Sequence, residues 1–261
     1  MTSKPLSNKS TIYFAPLSTL VPQLRKSSLS GIVPRYLLKV VPNGKVPLCQ
    51  GFESAAFAIG GIPLRRPEAQ FHWVFGENNA ATSALCQFLK QGLKSPKLYF
   101  HPNIIRTILK HFPEDKLGTD KIWVSHCPVD VVGTSAAQAK TFNSMPSDLK
   151  FSEEIASRLP PEELWQECRF EYIGLEVNGI IEATAEYTVE DGEFCLIQQL
   201  FTSTKHRNAG LSKMLLSSLS SAMHKKGITP VMISCSKNEI VSSVARRCGF
   251  KVAEEVGTVE Y

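Results

Sequence analysis

The sequence has 261 residues, 43% of them hydrophobic and 20% charged, which suits one large domain or two small ones with ordinary cores. No apolar run approaches the roughly 18 residues that cross a membrane, and the polar start MTSKPLSNKS lacks the apolar stretch of a signal peptide. Cysteines at 49, 86, 127, 168, 195, 235 and 248 include no CxxC pair, which argues against a zinc site or a disulfide framework and fits reduced thiols in the cytoplasm.

The net charge of +5 conceals three blocks. Residues 1–150 carry 18 Lys and Arg against 8 Asp and Glu, residues 151–199 carry 2 against 12, and residues 200–261 carry 9 against 4. An acidic middle followed by a basic end suggests a cationic ligand near the first and an anionic ligand near the second. Glu153, Glu154, Glu162 and Glu163 also read as a solvated acidic helix face.

In chain order, the apolar residues 40–42 lead into the turn pair Asn43-Gly44, 57–62 contain Gly60-Gly61, and 71–75 read as a short aromatic strand ending at Gly76. Residues 80–91 have helical spacing, with Ala84, Leu85, Phe88 and Leu89 on one face. A strand at 97–100, a helix at 103–112 and a strand at 121–126 follow, so this half is an α/β layer. His126 and Cys127, adjacent on that strand, would point to opposite faces and cannot pair as base and nucleophile. The composition then turns Ser-, Thr- and Ala-rich between 128 and 150, with Pro128 and Pro146. This reads as a boundary between an N-terminal domain at 1–140 and a C-terminal one at 150–261.

Residues 152–158 make a short helix stopped by Pro160-Pro161. Strand-like runs at 169–177, 179–189 and 193–202 are joined at Asn178-Gly179 and Asp191-Gly192, both hairpin-turn dipeptides. The next segment opens into a helix with Leu211, Leu215, Leu219 and Ala222 on one face, Met214 and Met223 beside them, and Gly227 as its left-handed stop. Residues 228–235 form a strand apolar enough to be buried on both faces, Ser236-x-x-Glu239 has the form of a capping box, and Gly249-Phe250 starts a last strand over 250–256.

The chemistry lies at the strand-to-helix junction, Arg207-x-x-Gly210-x-Ser212. The first turn of a helix has unpaired N–H groups and a positive dipole end, Gly210 allows close backbone approach, and Arg207 and Ser212 add hydrogen bonds. Together they suit a diphosphate. A three-strand meander, this junction, a long helix, a buried strand, Asn238 with Ser242, and Gly249-Phe250 resemble the GNAT superfamily of acyl-CoA-dependent N-acyltransferases over roughly 165–256.

The resemblance implies an α/β (α+β) fold, a mixed and mostly antiparallel sheet flanked by helices, preceded by a smaller α/β N-terminal domain. It implies direct transfer of acetyl from the cosubstrate acetyl-CoA to a primary amine of a small molecule or peptide, with no metal. The backbone of Leu200, Phe201 and Thr202 would bind the pantetheine arm, Arg207, Asn208, Ala209, Gly210, Leu211 and Ser212 the pyrophosphate, and Asn238 the cofactor arm or simply a helix end. The base stays open: Glu182 and Glu186 share a strand face, and Gln198 and Gln199 are alternatives for orienting substrate. The family's usual tyrosine acid position is Ala245, which leaves Tyr187, Tyr172 or departure of free thiolate. It also keeps a non-catalytic acyl-CoA sensor or scaffold in view.

The acidic middle block favours a cationic amine acceptor. The basic N-terminal half carries no recognised nucleic-acid motif, and it is either a diverged second copy of the same fold or an unrelated α/β cap. The sequence is silent on oligomeric state.

Overall fold

The computed structural model describes residues 11–16, 45–50, 55–61, 71–92, 97–127, 137–144, 146–160, 171–190, 192–235 and 237–260. The turn pair Asn43-Gly44, Pro161 with Glu162 and Glu163, Asp191 and Ser236 lie outside them. The chain divides into two compact units, Met1–Thr119 with Glu255–Tyr261, and Asp120–Glu254.

In the first unit, β1 (Thr11–Pro16), β2 (Lys45–Gln50), β3 (Ala55–Gly61) and β4 (Phe71–Phe75) form an antiparallel meander. Helix α1 (Ala80–Gly92) carries the chain across to β5 (Lys97–Phe100), parallel to β4, and residues 257–260 pair antiparallel with β5. Leu85, Cys86 and Leu89 of α1 bury against Ala56, Ala58, Val74, Leu98 and Phe100. The helix expected over 103–112 is shorter: a 3₁₀ turn, Pro102–Ile104, runs into α2 (Ile105–Ile108). The His101 ring caps that turn by accepting the Asn103 N–H at 3.2 Å, and Pro113 closes the segment.

The second unit begins within β6 (Leu117–Ser125), so His126 and Cys127 fall beyond the strand, both exposed. Within the stretch expected as linker, β7 (Ala137–Phe142) pairs with β9 (Glu171–Val177). Its small residues hide the alternation. Lys140 reaches Glu176 at 2.5 Å, and Phe142 stacks on Tyr172. The short β8 (Lys150–Phe151) lies parallel to the start of β10 (Ile180–Glu190), and α3 (Glu153–Ala156) follows it.

The rest follows the expected order: β9, β10 and β11 (Phe194–Thr202) as an antiparallel meander, α4 (Leu211–Lys225), β12 (Thr229–Cys235), α5 (Glu239–Arg247) and β13 (Phe250–Glu260). Asn178 and Gly179 both have positive φ, 52° and 79°, which a two-residue type I′ hairpin turn needs. Among the described residues the order across this unit is β6-β12-β11-β10-β9-β7, parallel only between β11 and β12 and where β8 meets β10. The fold is therefore mixed, mostly antiparallel and helix-flanked. Among the described residues no helix is long and apolar enough to cross a membrane.

The buried stripe of α4 is Leu211, Leu215, Leu216, Leu219 and Met223, while Ala222 is exposed. A stripe stepping by four residues drifts about 40° per step, which carries it past Ala222 to Met223. It packs on Ala183, Ala185 and Tyr187 of β10, leaving Glu182, Thr184, Glu186 and Thr188 on the opposite face. Leu215 is fully buried, so Leu215→Ala is expected to cost about 3 kcal/mol, read as a lowered urea midpoint with an unchanged slope.

Candidate active site

Strands β11 and β12 part company. They pair from Phe194↔Thr229 to Ile197↔Met232, then β11 runs on to Thr202 and β12 to Cys235 outside that ladder. The cause lies on the other edge of β11. Between the pairs Glu186↔Gln198 and Thr184↔Phe201, Gln199 and Leu200 face the single residue Ala185, a β-bulge with Gln199 at φ 41°. A bulge bends its strand and increases its twist. The β12-facing N–H and C=O groups of residues 198–202 are left outside the sheet ladder, and these include Leu200, Phe201 and Thr202, where the family resemblance implies the pantetheine arm.

A 3₁₀ turn, Thr204–His206, then leads to Arg207 in extended conformation, Asn208 at φ 64° and Gly210 at φ 81°. Gly210 is the N-cap of α4 and offers no side-chain cap. A Cβ added there would meet nothing within 4 Å, so glycine serves the left-handed backbone and leaves open space beside the helix start. Arg207, Asn208, Ala209 and Gly210 are exposed, and Leu211 is the buried anchor. The Thr202 and Ser212 hydroxyls meet at 2.7 Å, tying the strand exit to the first helical turn. Exposed, uncapped N–H donors beside an arginine suit a diphosphate, so the residues present fit the phosphate end of acyl-CoA.

Glu182 and Glu186 share a face as expected, yet they are buried, at 1% and 3% exposure, and their partners differ. Glu182 Oε1 meets Lys205 Nζ at 2.6 Å and lies 3.7 Å from His206 Nε2. Burial opposes its charge, but Lys205 and the neighbouring Ser203 and Ser152 hydroxyls outweigh it and hold the carboxyl below its usual range. Glu186 accepts a 2.8 Å hydrogen bond from the Tyr172 hydroxyl and sits across from Gln198, whose Nε2 is buried without a partner among the described residues. Gln199 is exposed.

Tyr187 points to the α4 side and donates to Glu171 at 2.6 Å, with burial pushing its pKa up. Asn238 caps α5 by accepting the Val241 N–H at 3.2 Å, and Ala245 is wholly buried in the core. Among the described residues no cluster of three or more His, Cys, Asp or Glu could hold a metal ion. Sequence reasoning missed Glu154, taken as a solvated face. Its Oε2 accepts the Thr204 N–H and hydroxyl at 3.0 and 2.9 Å, a contact that no short-range pattern signals.

The FR47-like protein family model matches residues 172–258, which include the bulge, the loop and Gly249-Phe250. Over that span the chain is similar to FR47-like proteins. No curated protein matches the sequence significantly. Among solved structures, a Drosophila protein is similar at 10% identity, over 97% of this chain and 98% of that one, with a TM-score of 0.62. A GNAT-family acetyltransferase from Colwellia psychrerythraea is similar at 12% identity, over 96% and 99%, with a TM-score of 0.60. A tandem GNAT protein from the clavulanic acid biosynthesis pathway is similar at 10% identity, over 97% and 98%, with a TM-score of 0.60. At such identities the likeness is one of fold.

The lowered pKa of Glu182 has a signed consequence for the second unit. A carboxyl with a depressed folded-state pKa adds stability above its unfolded pKa, near 4.3, and loses it as pH falls through the folded value. The stability gap between wild type and Glu182→Gln should therefore be constant from pH 8 to about 5 and close on further acidification. Urea titrations of both proteins across that range check it.

Proposed function

We propose that the chain is an acyl-CoA-dependent N-acyltransferase that passes the acetyl group of acetyl-CoA directly to a primary amine of a small molecule or peptide. The observation carrying this reading is the divergence of β11 from β12, which opens unpaired backbone beside the uncapped, arginine-flanked start of α4. The GNAT fold supports it. The amine attacks the thioester carbonyl carbon, the carbonyl oxygen gains charge, and collapse breaks the C–S bond with departure of the CoA thiolate. The N–H groups of the splayed segment 199–202 are suited to hold that oxyanion.

Of the two carboxylates, Glu186 is the better candidate to hold an ammonium and take its proton, because Glu182 is engaged by Lys205. Tyr172, bonded to Glu186, extends this relay. Tyr187 serves poorly as an acid, tied to Glu171 with its pKa raised. The acidic 151–199 block favours a cationic acceptor, and free thiols at Cys86, Cys127, Cys195, Cys235 and Cys248 fit a cytoplasmic setting. Ala245 in the core, where family members often carry a tyrosine, favours one second reading, an acyl-CoA sensor that binds without turnover.

The N-terminal unit is a diverged second copy in this reading. It repeats the order of meander, crossover helix, parallel strand and antiparallel neighbour. Its junction does not suit a phosphate. Asn79 caps α1 by accepting the Thr82 N–H at 3.0 Å, Glu77 precedes it, and Thr82 crowds Gly76.

Isothermal titration of acetyl-CoA tests the whole reading. One micromolar site per chain is expected, abolished in an Arg207→Ala/Gly210→Glu variant whose unfolding free energy stays within about 2 kcal/mol of wild type. Thiol release with an amine panel then separates transferase from sensor. No binding by the folded wild type sinks both.

A further inference from the structure

Residues 203–206, which deliver the chain to Arg207, are gripped one by one from outside the loop. The Glu182 carbonyl accepts the Ser203 N–H at 2.8 Å. Glu154 Oε2 accepts both the N–H and the hydroxyl of Thr204. The Glu182 carboxylate takes Lys205 at 2.6 Å and faces His206. The turn's own N-cap residue, Ser203, makes no capping bond, so a carboxylate 50 residues upstream supplies the cap. The segment bearing Glu154 is itself moored. The Ser152 N–H donates to the Ile181 carbonyl at 3.1 Å, and the Arg158 guanidinium lies 3.8 Å from the ring centroid of Phe201, on the splayed strand.

We propose that Glu154 and Glu182 are positioning residues of the acyl-CoA site: they hold the phosphate loop in its binding shape before the ligand arrives, and so set affinity without touching it. The inference rests on the acyl-CoA reading of that loop. Both residues put negative charge next to a loop meant for an anion, and Coulomb's law alone says that removing either should tighten binding. For exposed Glu154 this repulsion is screened within about 10 Å. Losing two charge-assisted hydrogen bonds instead frees the loop to sample shapes that the ligand must then reorder. Positioning and simple electrostatics thus predict opposite signs for one substitution. Holding Glu154 ionised suits the role: its hydrogen bonds from Thr204, with help from Arg207 and Arg158, keep its carboxyl below the usual range.

Acetyl-CoA titrated into wild type, Glu154→Ala, Glu154→Gln and Glu182→Gln tests it, with amide hydrogen exchange followed at residues 203–206. The expected result is binding weakened about tenfold in Glu154→Ala, with faster exchange at 203–206 and a urea transition that stays cooperative with an unchanged slope. Glu154→Gln, whose amide oxygen can still accept from Thr204, should recover most of the affinity, and Glu182→Gln should weaken it. Equal or tighter binding by Glu154→Ala overturns the proposal and leaves the acyl-CoA site standing. A wild type that binds no acetyl-CoA overturns the proposal together with the reading beneath it.

Discussion

A single extra residue in β11 governs the second unit. Gln199 and Leu200 stand against Ala185 alone, and the resulting bulge turns β11 away from β12 after four paired residues. Without that bend β12 would continue the ladder and consume the backbone groups of residues 198–202. With it, the sheet keeps a solid core on the α4 side and an opening on its edge, and the chain leaves Thr202 aimed at the N-terminus of a fifteen-residue helix. The positive φ at Gln199 costs conformational energy, of order 1–2 kcal/mol for a non-glycine residue, sustained by the pairs on either side.

Two carboxylates on one face of one strand acquire separate work from their surroundings. Glu182 faces Lys205 and stays an anion bound to the loop. Glu186, four residues on, faces Tyr172 and Gln198 within the sheet. Strand periodicity says that they share a side. Only the partners reached by neighbouring strands and by the loop say what each does.

Local chemistry made much of this legible in the sequence. Asn178-Gly179 sets its hairpin because both residues must take positive φ, and Gly210 ahead of an amphipathic helix supplies the left-handed start of α4 without a side-chain cap. What escaped depends on distance or on weak side chains. β7 is built from Ala137, Ala139 and Thr141, too small to show an alternation, and its pairing is fixed by β9, some thirty residues later. Met223 displaced Ala222 because a four-residue step drifts around the helix. Glu154 looked like any exposed acid, and its contact becomes visible only when Thr204 is folded against it.

The central claim is that residues 199–202 and 208–213 form one acyl-CoA site, and amide hydrogen exchange with and without acetyl-CoA tests it most directly. The account predicts slowed exchange in those two segments together, since the first gains partners for its splayed N–H groups and the second for its uncapped helix start. Unchanged exchange there, or protection confined to the junction at 76–82 in the N-terminal unit, would contradict it.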